Sequence, residues 1–296
     1  MSRNNILDKK YPLYFGSVIS DAKIKDSRVF ALLGIKEGEL YTVKETFSLI
    51  KNWKKILRDE YNAVSVEINA VIWADNKRYI DIALKTRKNS ERRFKKPPEK
   101  TPRLPAEAVK NFRKYQNRVN ELLKIDVKKT TRYPIDGRWQ SKDRTLKKID
   151  ETLLNIVPTK IDLILKTLYS HKNPEKRVLA LQLLNWAPAA PQILNSILAG
   201  LEDPEHSVHN EAASIALPKI LYLKNRTSVK KISEMLEHFN LLCRGKAAYI
   251  IYVLMKNKIT IPKPIVKKIL EMGKLKSPFL KFYPSQIKKF TEKRPN

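Results

Sequence analysis

Apolar and polar side chains alternate most regularly between residues 64 and 84. Val64, Val66 and Ile68 alternate with Ser65, Glu67 and Asn69, and the run continues through Val71, Ile72 and Trp73. After a turn at Ala74-Asp75-Asn76-Lys77, Ile80, Ile82 and Leu84 again share one face. A period of two belongs to a half-buried strand, so the pattern predicts a β-hairpin with one face in a core. Residues 11–20 and 39–47 are rich in aromatic and β-branched side chains, with Gly16, Gly34 and Gly38 as bounds, and are expected to be strands. Residues 26–33 predict a short helix stopped by Gly34, and residues 48–61 a longer one. Residues 1–85 therefore read as a small α+β domain with an antiparallel sheet.

Beyond residue 85 the period changes. Residues 87–105 carry Pro97, Pro98, Pro102 and Pro105 and little that a core would accept, so an exposed, partly extended linker is expected. A helix should start at Pro105, with Glu107 in its first turn, and run to about residue 123. Val109, Phe112, Tyr115, Val119 and Leu122 form its apolar stripe, while Arg113, Lys114 and Arg118 project from other faces. The continuous stripe favours docking of this helix on a neighbouring domain over surface binding.

A longer period appears in residues 149–296. Asn173-Pro174-Glu175 recurs 30 residues later as Asp203-Pro204-Glu205. Apolar helical stretches precede each copy (161–169 and 193–201) and follow each copy (178–186 and 208–217). A weaker third copy aligns residues 208–213 with 243–248, and residues 264–272 and 284–290 would close the array. Proline fits the first helical turn, where its missing N–H costs nothing, and the preceding Asp or Asn caps the free amides. With Val208, Ala212 and Ala213 on the second helix, this half of the chain resembles the short bacterial kind of HEAT-like helical repeats. The resemblance implies helix pairs stacked into a right-handed solenoid, each contacting its neighbours.

Charge adds a partner class to this outline. Lys and Arg number 60 against 30 Asp and Glu, a formal +30. The excess is uneven: net +3 over residues 1–84, +15 over 85–148, −2 over 149–221 and +14 over 222–296. Two cationic blocks flanking a near-neutral centre attract polyanions, either nucleic acid or an anionic surface. Lysines outnumber arginines 43 to 17, a composition equally consistent with a merely solvated surface. No stretch reaches the roughly 20 apolar residues of a membrane span. Residues 1–10 are polar, no signal peptide is visible, and a single cysteine, Cys243, excludes an intramolecular disulfide, so a reducing cytoplasm is the expected location.

Signatures of chemistry are sparse. There is no phosphate-cradling glycine loop, nucleophile elbow or kinase signature. His206 and His209, three apart beside Glu205 and Glu211, have the spacing of metal ligands, but solvent-exposed turn residues explain them better. The segment Tyr133-Pro134-Ile135-Asp136-Gly137-Arg138-Trp139-Gln140 joins an Asp-Gly turn to an Arg-Trp pair, which either clamps a phosphate and base or caps the apolar end of the first repeat.

The expected fold is therefore multi-domain. A small α+β domain with a β-hairpin occupies 1–85, a basic Pro-rich linker and amphipathic helix 86–148, and an all-α HEAT-like solenoid 149–296. The expected function is that of a non-enzymatic binding or scaffold protein, presenting a repeat surface to a protein partner, without cofactor or metal. The alternative is a dedicated nucleic-acid-binding protein using Arg87, Lys88, Arg92, Arg93, Lys95, Lys96, Arg138 and Trp139. A third reading, implied only by the resemblance, is a HEAT-like DNA glycosylase, which would need a groove Asp among tryptophans and basic residues.

Overall fold

A computed structural model describes residues 8–73, 75–86, 98–223, 232–238 and 241–292. Two compact units emerge: one joins residues 1–93 to 233–256 and 260–296, and the other holds 94–232 with 257–259.

The first unit is built on strands β1 (Lys10–Ser20), β2 (Leu40–Thr42), β3 (Ala63–Ile72) and β4 (Arg78–Thr86), in the order β2-β1-β4-β3. The hairpin β3–β4 forms as its alternation predicts, pairing Val66 with Leu84 and Ile68 with Ile82. The sheet is mixed rather than antiparallel, because β4 also lies parallel to β1. Orientation between strands some 60 residues apart is set by the path of the intervening chain, which periodicity does not encode. Val64 departs from the alternation and is exposed, since the register shifts between Ala63 and Ser65.

Helix α1 (Asp26–Leu32) ends before Gly34, whose φ of +63° suits a residue without Cβ. Helix α2 (Val43–Tyr61) starts five residues before the expected position, leaving β2 only three residues long. A capping box sets this boundary: Glu45 N donates to Thr42 Oγ1 at 3.1 Å, and Thr42 N donates to Glu45 Oε2 at 2.7 Å. Leu13, Ile80, Ile82, Val66 and Ile68 on one sheet face form a core with Val29 and Phe30 of α1 and Trp53 and Leu57 of α2.

The opposite sheet face is buried and polar. Helices α9 (Leu241–Lys256), α10 (Lys263–Met272) and α11 (Pro278–Glu292) belong to this unit. Ser277 Oγ donates to Asp81 Oδ2 at 2.7 Å, Ser17 N donates to Asp81 Oδ1 at 2.9 Å, and Leu241 N donates to Glu67 Oε1 at 3.1 Å. Gly16 makes this closeness possible, since a Cβ there would lie 2.3 Å from Asp81 Oδ1. Leu241 at the start of α9 and Ser277 just before α11 thus donate to buried carboxylates of the sheet.

The second unit contains α3 (Ala106–Ile125), the hairpin β5 (Arg132–Ile135) and β6 (Arg138–Ser141), then α4 (Arg144–Ile156), α5 (Ile161–Ser170), α6 (Pro174–Leu183), α7 (Pro191–Leu198) and α8 (His206–Leu223). Asn173 caps α6 through Glu175 N at 2.8 Å, with Pro174 opening the helix as the turn motif predicts. Asp203 accepts from Glu205 N at 2.9 Å in the matching position. The two turns are tied together by Arg177 of α6. Its guanidinium grips the Asp203 carboxylate at 2.7 and 2.8 Å and donates to His171 O at 2.7 Å. Most of the described residues after 105 are helical.

Candidate polyanion-binding site

Six of the eight candidate polyanion-binding residues, Arg87, Lys88, Arg92, Arg93, Lys95 and Lys96, lie outside the described residues. The other two sit in the β5–β6 hairpin. Its turn places Asp136 and Gly137 at φ +49° and +74°, the left-handed pair that an Asp-Gly hairpin adopts. Trp139 N donates to Asn185 Oδ1 at 2.8 Å, Asn185 Nδ2 donates back to Trp139 O at 3.1 Å, and the indole N–H donates to Ser214 O at 2.8 Å. Trp139 therefore uses its polar atoms to bind the hairpin to its own unit. Beneath the turn, Lys219 is fully buried and donates to Ala187 O at 2.7 Å. Burial, reinforced by the charge of Arg138, lowers its ammonium pKa to about 8.

A cationic concavity lies elsewhere in this unit. Residues 101–104, the first three turns of α3, and His171 and Lys176 enclose about 530 Å³. Lys100 fixes one wall, donating to Ser170 O at 3.0 Å and accepting from Lys172 N at 2.8 Å. Val109 and Leu104 supply apolar surface, and Arg103, Lys110, Arg113, Lys114 and Lys176 bring five positive charges. All five are exposed, and among the described residues no carboxylate lines the cavity. Among the described residues none of the five forms an ion pair. His171 adds no charge at neutral pH: burial first, then Lys176 and Arg177, hold its imidazole below the ordinary histidine range.

Sequence periodicity brings Lys110, Arg113 and Lys114 onto adjacent positions of α3, spaced three and four apart, and Arg113 and Lys114 project as expected. Arg118, expected to project with them, is instead held by Asp143 at 2.8 Å and Glu121 at 3.0 Å. Arg103 and Lys176 carry no sequence signal that links them to α3. They join the cavity through the Lys100 bridge and the turn before α6, which no local signal reports.

The other candidate groups have structural contacts. His209 Nε2 bonds the Asp203 carbonyl in the turn before α8, and among the described residues no group of three His, Cys, Asp or Glu is arranged to hold a metal. The Cys243 thiol is buried, and its pKa is pushed up to about 12 by that burial. Asp150 accepts from Trp186 Nε1 at 2.8 Å and is only 5% exposed, so this Asp–Trp pair faces the interior of its unit. Among the described residues no helix is long and apolar enough to cross a membrane. Searches against protein-family models, curated proteins and solved structures find no match to this chain.

Proposed function

We propose that this chain is a non-enzymatic nucleic-acid-binding protein whose helical unit holds the phosphodiester backbone in the cavity at the start of α3. The observation that carries this reading is the set of five exposed cations around one concavity, with no lining carboxylate among the described residues. Surface lysines and arginines usually sit among acids, and the described salt bridges of Arg28, Arg118, Lys268 and Lys274 follow that habit. Five unneutralised cations in one place repel each other, and an anionic chain relieves that repulsion while releasing its counterions.

The reading is tested by fluorescence anisotropy of the full chain with labelled oligonucleotides at about 150 mM salt. Wild type is expected to bind, and the double charge reversal Lys110→Glu/Arg113→Glu to lose about 100-fold or more in affinity, with its circular dichroism unchanged. Equal affinity in both proteins would reject the cavity as the binding site. Salt-insensitive capture of a folded protein partner, with no oligonucleotide binding, would favour the scaffold reading instead.

A further inference from the structure

A second cavity of about 480 Å³ adjoins the first along α3, and Asn117 lines both. Its character is different. Phe112, Tyr115 and Trp186 form a buried aromatic wall, with ring centroids 5.4 to 6.4 Å apart. Leu146 and Ile215 extend the apolar surface. Four carboxamides, Gln116, Asn117, Asn120 and Gln182, line the cavity, and among the described residues none of their side-chain amides hydrogen-bonds to the protein. Asn185 also lines it but is committed to the Trp139 backbone. Arg132 stands exposed at the hairpin side, and Val119, Thr130 and Glu211 also line the cleft.

We propose that this cleft receives an unstacked nucleobase of a single strand whose phosphates occupy the neighbouring cationic cavity. The proposal rests on the nucleic-acid reading above and names its substrate class. A carboxamide offers both donor and acceptor, and the edge of a base presents both in fixed order, so uncommitted amides beside an apolar wall match a heterocycle better than they match a lipid or a bare anion. The volume falls within the usual range of ligand sites, about 300–1,000 Å³. The shared Asn117 makes the two cavities neighbours, as base and phosphate of one nucleotide are. A base paired and stacked within a duplex cannot enter such a cleft without leaving its stack, so single strands are selected.

The test compares three labelled probes of equal length, roughly 12 nucleotides, against the full chain: a single strand, the same backbone with abasic residues, and a duplex. The single strand is expected to bind about tenfold or more tighter than the abasic strand. The surface variant Asn120→Ala/Gln182→Ala should erase that ratio while leaving abasic binding unchanged. Equal binding of single and abasic strands by the wild type would overturn the base cleft and leave the phosphate site standing. Failure of all three probes to bind would overturn the nucleic-acid reading itself.

Discussion

Arg177 and Asp203, 26 residues apart, form a two-pronged ion pair with N–O distances of 2.7 and 2.8 Å, exposed only 1% and 8%. The Asp203 carboxylate also caps the turn before α8, and the Arg177 guanidinium also binds carbonyls of the turn before α6. One buried pair thus links two copies of the same sequence motif. It fixes the spacing of α6 and α8, and with it the wall that His171 and Lys176 contribute to the cationic cavity.

Breaking this pair should be costly. Arg177→Met leaves Asp203 charged and buried, and the expected loss is about 3–5 kcal/mol by urea unfolding. The double variant Arg177→Met/Asp203→Asn should recover part of it, because the orphaned charge is gone. A loss below about 1 kcal/mol for the single variant would show that the pair is not a structural tie.

Asp81 makes stability depend on pH. Burial raises its carboxyl to about 6, against hydrogen bonds from Ser277 and Ser17 that lower it. With the unfolded value near 3.9, the folded protein binds more protons between about pH 4 and pH 6, so this group's contribution is largest below that window and falls as pH rises through it. Asp81→Asn should flatten the stability profile over this range. By linkage it should also raise stability at about pH 7 by up to about 3 kcal/mol, at roughly 1.4 kcal/mol per unit. Asp150, also raised to about 6 by burial, should leave a residual slope in that variant. An unchanged profile would refute the assignment.

Gly245 sets the approach of α9 to α11. A Cβ there would lie 2.3 Å from the Phe279 ring. Gly245→Ala is expected to destabilise by about 1–3 kcal/mol through overpacking, and Phe279→Leu in the same chain should relieve it. Additive losses in the double variant would contradict this contact.

What the sequence makes legible is local. The β3–β4 hairpin, the Gly34 stop and the capped turns at Asn173 and Asp203 all follow from residues within a few positions of one another. The Thr42–Glu45 capping box was also readable, yet β-branched and aromatic neighbours at 41–47 outweigh it in a strand pattern. The parallel pairing of β1 with β4 and the hydrogen bond from Ser277 to Asp81 join residues far apart in the chain, so periodicity is silent about them. The C-terminal apolar helices read as further repeats from their spacing, which carries no record of the hydrogen bonds that Leu241 and Ser277 make to Glu67 and Asp81. The candidate site is half legible: Lys110, Arg113 and Lys114 share a helix, whereas Arg103, His171 and Lys176 meet them only in the folded unit.

The most direct measurement is the salt dependence of oligonucleotide affinity for wild type and for Lys176→Ala, the cation that α6 brings to α3. Each engaged cation should contribute about 0.7 to the slope of log K against log salt for a single strand. The account predicts a wild-type slope steeper than about −2 and a reduction of about 0.7 in the variant. A slope near zero, or one that Lys176→Ala leaves unchanged, would contradict a phosphodiester backbone seated among these five charges.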